Sequence, residues 1–266
     1  MRLAAALIAV ALLLPAGAAA ARRWHPKIGA AAAWAHEREG VVSFAVRTKR
    51  RVAGRGLDRQ YLSASVIKAM LMTAYLRSAA VRDRALTAGD RALLGPMIRW
   101  SDNDAASRVR DIVGNGAIER LAHDAGMTRF VAHPAWGLSL ITARDQTRFF
   151  LALEHLLPER HRAYALALLR TIVPEQRWGI ARAIPRGWRL YFKGGWGIGT
   201  PEVDHQVGLL RRGTHRVAIA VLTNSSPSQA YAHATLEGVA RRLVRGLGPR
   251  LRGRAEPAQV FLRPRL

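Results

Sequence analysis

The chain contains no cysteine. That excludes disulfides, thiolate chemistry and cysteine-based metal sites, and it is compatible with export. Acidic residues are few: 18 Asp and Glu stand against 42 Lys and Arg, for a formal net charge of +24. Lysine is scarce too. Only Lys27, Lys49, Lys68 and Lys193 occur, so almost all of the positive charge is arginine. A charge of this size raises nucleic acid or an anionic surface as partners. The arginines are scattered, however, and no ladder of aromatic and basic residues accompanies them, so no nucleic-acid partner is expected. Codon bias of a high-GC genome is the simpler source of the arginine excess.

Charge is also missing from one long stretch. Arg2 is followed by an uncharged segment over residues 3–21, apolar from Leu3 to Leu14 and then Pro15-Ala-Gly-Ala-Ala-Ala-Ala21. This pattern reads as a signal peptide over 1–21, with small-residue cleavage sites such as that after Ala20; the alternative is an uncleaved anchor, since 3–21 is uncharged and nearly long enough to span a membrane. The expected location is secreted or at the cell-envelope exterior. No cysteine follows the segment, which excludes a lipoprotein anchor.

What remains is 50% hydrophobic, enough for one large domain or two intertwined lobes. Residues 24–39 hold an alanine-rich helix. Residues 41–48 alternate and are β-branched, and 52–57 form a second, glycine-broken strand. From 77 to 187 the pattern is helical: 92–99, 105–113, 116–125, a helix from Thr142 to about Leu157, and 160–172. Thr142-Ala-Arg-Asp145 reads as a capping box, while 126–141 reads as irregular. Strands return at 188–192, 206–210 and 217–223, and 230–247 closes the domain as an amphipathic helix. The expected fold is α/β (α+β): a mixed antiparallel sheet built from both chain ends, flanked by helices, with an inserted all-helical lobe. The boundaries are 22–62 with 188–247 for the sheet lobe and 63–187 for the helical lobe. A basic tail, 248–266, follows.

Ser63 to Leu76 is apolar on every face, so it predicts a helix buried on all sides. Lys68 within it has no polar face by which to reach water. Ser65 precedes it by three residues, on the same face of a helix, where hydroxyl and amine can meet. A serine at a helix start with a desolvated amine one turn on is an arrangement for nucleophilic catalysis. Such a pair alone arises by chance about once in a chain of this size. Two further stretches accompany it: Ser101-Asp102-Asn103, which also suits a helix cap, and Lys193-Gly194-Gly195-Trp196-Gly197 at a predicted strand. No helix follows the glycines, so a dinucleotide loop is excluded.

In this order the three stretches resemble the S-x-x-K, S-D-N and K-T-G set of class A β-lactamases and penicillin-binding proteins. The early hairpin, the Thr142 helix start, the segment 180–188 and the closing strands and helix resemble that fold as well, over roughly residues 35–247. The resemblance implies roles. Ser65 would be the acylated nucleophile and Lys68 its base, kept neutral by burial and by the charge of Lys193. Ser101 would relay the proton, and Asn103 would hold the substrate amide. Lys193 would attract the substrate carboxylate. The strand Gly195–Trp196 would supply, with the Ser65 N–H, the Trp196 N–H of an oxyanion hole. No cofactor and no metal is implied. The implied partner is a small-molecule or peptidoglycan-type substrate, bound by a monomer. The tail adds a possible contact with an anionic cell-envelope surface.

Three departures bear on function. Residues 120–153 contain no glutamate, so the family's deacylating base is missing; Asp124, His123 and His133 are the only titratable candidates for it upstream of Thr142 there. Gly194 replaces the K-T-G hydroxyl, leaving Arg211, Arg212 or Arg216 to compensate. Ser65 and Ser101 are only 36 positions apart, which trims one wall of the cleft. The expectation is an exported serine hydrolase that acylates Ser65 with a β-lactam or a D-Ala-D-Ala-like amide or ester and deacylates slowly. The alternative is a penicillin-binding or sensing domain without significant turnover.

Overall fold

The computed structural model describes residues 24–197 and 202–247. The segments read as signal peptide (1–21) and basic tail (248–266) lie outside the described residues. Five strands form one antiparallel sheet in the order β2-β1-β7-β6-β5. They are β1 Val41–Arg47, β2 Val52–Arg55, β5 Arg189–Gly197, β6 Val203–Arg212 and β7 His215–Asn224. β1 pairs with β7 from Val41 opposite Asn224 to Arg47 opposite Ala218, so the two chain ends share one sheet. Helices α1 (Ile28–His36) and α7 (Gln229–Val244) pack together, and α5 (Ala143–Leu156) packs on β1, β6 and β7. The central strands β6 and β7 are buried over nearly their whole length, as a sheet covered on both faces requires.

The helical part contains α2 (Lys68–Arg77), α3 (Ala88–Arg99) and α4 (Asn103–Asp124). α2 packs against α3, α4 and α6 (Glu159–Arg170), and Lys68 to Leu76 is buried without a break. A helix enclosed in this way has no use for a polar stripe, which is why its sequence shows none. Within α4, Gly114 takes φ 68° and ψ 162°, outside the helical range, so two helical segments meet there at a kink, where the periodicity predicts the break.

Two local expectations change. A full capping box forms at the start of α3: Thr87 Oγ1 accepts from Asp90 N at 3.1 Å and Asp90 Oδ2 accepts from Thr87 N at 2.6 Å. At the start of α5 only half of the predicted box exists. Thr142 Oγ1 accepts from Asp145 N at 3.1 Å, but the Asp145 carboxylate accepts from Arg129 N and from Arg148 instead. One donor from outside the helix, Arg129 N, and one side chain a turn further along α5, Arg148, take that carboxylate in place of the cap's N–H. The stretch read as irregular also contains β4 (Leu140–Thr142), which pairs with β3 (Gln60–Leu62) and so anchors the segment just before Ser65.

Candidate active site

Ser65 lies in a 3₁₀ turn, Ala64–Ile67, that runs directly into α2. The turn is entered through strain. Ala64 has φ 44°, and Ser101, across the cleft, has φ 64°. Non-glycine residues in this region cost about 1–3 kcal/mol each and persist where the surroundings over-determine them. At Ser101 the left-handed backbone lets one residue present both its carbonyl and its hydroxyl to Lys68.

Lys68 and Lys193 have no exposed surface. Lys68 Nζ donates to Ser101 O at 2.6 Å and to Asn103 Oδ1 at 2.6 Å, and lies 3.3 Å from Ser101 Oγ. Lys193, in the middle of β5, donates to Ser101 Oγ at 3.0 Å and to Gly194 O at 2.9 Å. Ser101 Oγ therefore bridges two buried amines. Ser65, Lys68, Ser101, Asn103 and Lys193 converge from a turn, two helices and an outer strand.

The direct Ser65–Lys68 contact expected from their spacing does not form; among the described residues the Ser65 hydroxyl makes no hydrogen bond. The amine is held instead by two carbonyl-type oxygens. Burial brings Lys68 down from 10.5 to about 7, and the charge of Asp102 opposes the shift. Burial also holds Lys193 well below the usual lysine range, and here the second cause is the charge of Lys68. Among the described residues no carboxylate contacts either amine.

Gly195 explains the glycines after Lys193. A Cβ built there would lie 2.7 Å from Val66 N and 2.9 Å from Ser65 N. Only a residue without a side chain lets outer strand β5 press against the amides of the Ser65 turn. Trp196 is the next residue. Gly194 has a different neighbour: a Cβ there would meet Trp178 at 3.5 Å and Trp196 at 3.7 Å. The two indoles pack edge to face, with centroids 6.0 Å apart, and His233 stacks on Trp178 at 3.8 Å. Tryptophan occupies the room beside Gly194 that a threonine side chain would extend into.

Trp136 was invisible to motif reasoning. Its ring centroid lies 4.6 Å from Lys68 Nζ, and its Nε1 donates to Ser107 Oγ at 3.1 Å. Ser63 Oγ holds this loop by donating to Trp136 O at 3.2 Å. An indole thus roofs the lysine in the segment just upstream of Thr142. His205 is another residue without a sequence signal. Its Nδ1 accepts from Thr223 N at 3.2 Å, so Nε2 carries the proton and donates to Leu62 O at 3.0 Å. Burial lowers it to about 4, so it stays neutral and ties β6 to the strand leading into Ser65.

The other candidates fall elsewhere. Asp124 pairs with Arg77 at the far end of α2, about 13 Å along the helix from Lys68. His123 is almost fully exposed, and His133 Nδ1 accepts from Ala135 N at 3.0 Å within its own loop. Arg211 and Arg216 both bind Glu154, which removes them as free carboxylate ligands, and Arg212 sits at the β6–β7 turn, at the opposite end of β6 from the residues paired with Gly195 and Trp196, which removes it as well. Among the described residues no group of three or more His, Asp or Glu side chains is placed to hold a metal ion.

A buried Ser–Lys pair in the crevice beside an antiparallel sheet is the mark of a serine-hydrolase-type protein. Solved structures share the fold. A β-lactamase from Sphaerobacter thermophilus superposes with a TM-score of 0.72 at 21% identity, covering 85% of this chain and 99% of that one. One from Xanthomonas campestris gives 0.72 at 17% identity, covering 82% and 96%. A class A β-lactamase from Mycobacterium abscessus gives 0.69 at 18% identity, covering 83% and 99%. A search of curated proteins finds no match. The model of the beta-lactamase enzyme family matches residues 86–247, more than half of the chain, which therefore belongs to that family. The matched span includes Ser101, Asn103 and Lys193 and begins after Ser65 and Lys68.

Proposed function

We propose that this protein is an exported serine hydrolase that forms an acyl-enzyme on Ser65 and releases it slowly. The observation that carries the reading is the pair of buried amines bridged by Ser101, with Lys68 near its point of deprotonation at neutral pH. A neutral lysine has two N–H groups and one lone pair. Ser101 O and Asn103 Oδ1, both at 2.6 Å, take the N–H groups. The lone pair is left for a hydroxyl. As the substrate enters, it accepts the proton of Ser65, whose Oγ attacks the carbonyl carbon. The C–O bond forms, the carbonyl C–N or C–O bond breaks, and Ser101 passes a proton to the leaving atom, replenished from Lys68.

The remaining groups bind. The exposed amide nitrogen of Asn103 donates to a substrate carbonyl, its oxygen being held by Lys68. Lys193 has no acidic partner among the described residues, so a substrate carboxylate satisfies it and favours its charged form. The N–H groups of Ser65 and Trp196 receive the oxyanion, and losing one such donor costs about 3–4 kcal/mol of barrier. This set suits a β-lactam or a D-Ala-D-Ala-like amide or ester. Slow release follows from the sequence of 120–153, which has no glutamate, and from the indole of Trp136 beside Lys68.

A chromogenic cephalosporin with intact-mass detection tests this. The expected result is a stoichiometric burst and a lasting adduct on Ser65 that Ser65→Ala abolishes. Rapid hydrolysis without an adduct would refute slow release, and no reaction with any acyl donor would refute the enzyme. A second reading, a penicillin-binding or sensing domain without turnover, is favoured by the missing Ser65–Lys68 contact. It predicts an adduct that never decays.

A further inference from the structure

A second concave site lies away from the Ser65 cleft, at the other end of the sheet. A groove of about 970 Å³ runs between the β1–β2 turn, the β6–β7 turn and the end of α7. Lys49, Arg50 and Arg51 line it from one turn, Arg212 and Arg216 from the other, and no acidic residue lines it. Arg216 is committed to Glu154, and Arg51 donates to Trp24 O at 3.2 Å. Lys49, Arg50 and Arg212 are exposed, and their side chains make no hydrogen bond or ion pair among the described residues. Thr48 and Thr214 add hydroxyls, and Trp24 and Trp188 form apolar flanks.

Three like charges gathered in a concavity without a counter-charge repel one another, and a polyanion relieves that repulsion. Guanidinium forks fit phosphate oxygens in two-point contacts. The two tryptophans are half-buried against the core. Trp24 Nε1 donates to Arg245 O at 3.1 Å and Trp188 Nε1 to Leu247 O at 2.8 Å, so both indoles serve to pin the chain ends. Two isolated, anchored rings make no ladder on which successive bases could stack, which argues against a nucleic-acid strand. The described residues end at Leu247, itself a lining residue, and the sequence after it has Arg250, Arg252 and Arg254 before its one acid, Glu256.

We infer that this groove binds a flexible phosphodiester polymer without bases, of the polyol-phosphate or sugar-phosphate class. Docking there leaves the Ser65 cleft open, so the protein can be held on such a polymer while its site stays accessible.

The test is titration of the full-length mature protein with purified poly(glycerol phosphate), with a homopyrimidine oligonucleotide of equal phosphate number as comparator, over a range of salt. Binding of poly(glycerol phosphate) should weaken linearly in log salt, with a slope reporting about three phosphates. The double variant Arg50→Glu/Arg212→Glu reverses two exposed charges and should lose about tenfold or more in affinity. Its thermal midpoint and its acylation of Ser65 should not change. Wild-type affinity in the double variant would overturn the assignment. So would equal or tighter binding of the oligonucleotide, or no binding of poly(glycerol phosphate) at low salt. None of these outcomes depends on whether Ser65 is acylated.

Discussion

Lys68→Met removes the buried amine and keeps an unbranched side chain that fills the same space. Its effect on stability follows from where the amine titrates. Folded, Lys68 releases its proton near pH 7; its ordinary value, that of an unfolded chain, is 10.5. Between those limits the unfolded chain binds one more proton than the folded one, so stability rises with pH. A fall from 10.5 to about 7, at about 1.4 kcal/mol per unit, makes the buried amine cost about 5 kcal/mol at neutral pH and below. Against this, the variant leaves Ser101 O without its donor, at about 1–3 kcal/mol. Asn103 is exposed, and water replaces the contact there. Relief of Lys193 from the charge of Lys68 adds to the gain. The variant should therefore be the more stable protein near pH 7, by roughly 2–4 kcal/mol, and the less stable one near pH 10.5. Urea unfolding of both proteins across this range measures the difference directly. A difference that does not change with pH, or one that favours wild type at pH 7, would refute the account of Lys68 as a desolvated amine.

Three other outcomes follow from the geometry. The acylation rate should rise with pH through about 7, as Lys68 becomes neutral, and Lys68→Met should abolish that limb together with the activity; stopped-flow acylation against pH reads this. Gly195→Ala forces a methyl against Ser65 N and Val66 N, so it should lower acylation at least a hundredfold and destabilise the fold by about 1–3 kcal/mol; burst kinetics and thermal unfolding separate the two effects. Asp90 accepts from Tyr75 at 2.6 Å and from Arg84 at 2.6 Å, which holds its carboxyl well below the usual range. That stabilisation is complete above the ordinary value of 3.8 and is lost as pH falls through the depressed one. Asp90→Asn should cost about 2 kcal/mol at pH 7, a cost that shrinks on acidification below about pH 4, measurable by urea unfolding.

Much of this protein is legible from patterns along the chain. The apolar run through Lys68, the β-branched run of residues 41–47, buried on both faces rather than in alternation, and the buried strands of the closing third are local consequences of what must be hidden from water. They specified the sheet, the enclosed helix and the motif order. Helix ends were harder. Thr87 to Asp90 and Thr142 to Asp145 have the same spacing, yet only the first forms a complete cap, because Arg129 and Arg148 take the second carboxylate. The break at Gly114, by contrast, falls where the sequence puts it, between the helices predicted over 105–113 and 116–125.

The residues able to carry the chemistry were thus determined by sequence: a serine, two lysines, a second serine and an asparagine, with a buried lysine that has to be explained. Tertiary structure decided how those groups are wired. It directed Lys68 to Ser101 and Asn103 rather than to Ser65, placed Trp136 over the amine, and set Gly195 against the Ser65 turn. It also tied Arg211 and Arg216 to Glu154 and gathered Lys49, Arg50 and Arg212 into one groove. The physical reason is range. Burial and periodicity act over a few residues and leave a record in composition, whereas hydrogen bonds and charge repulsion act over a few ångströms between residues brought together only by folding.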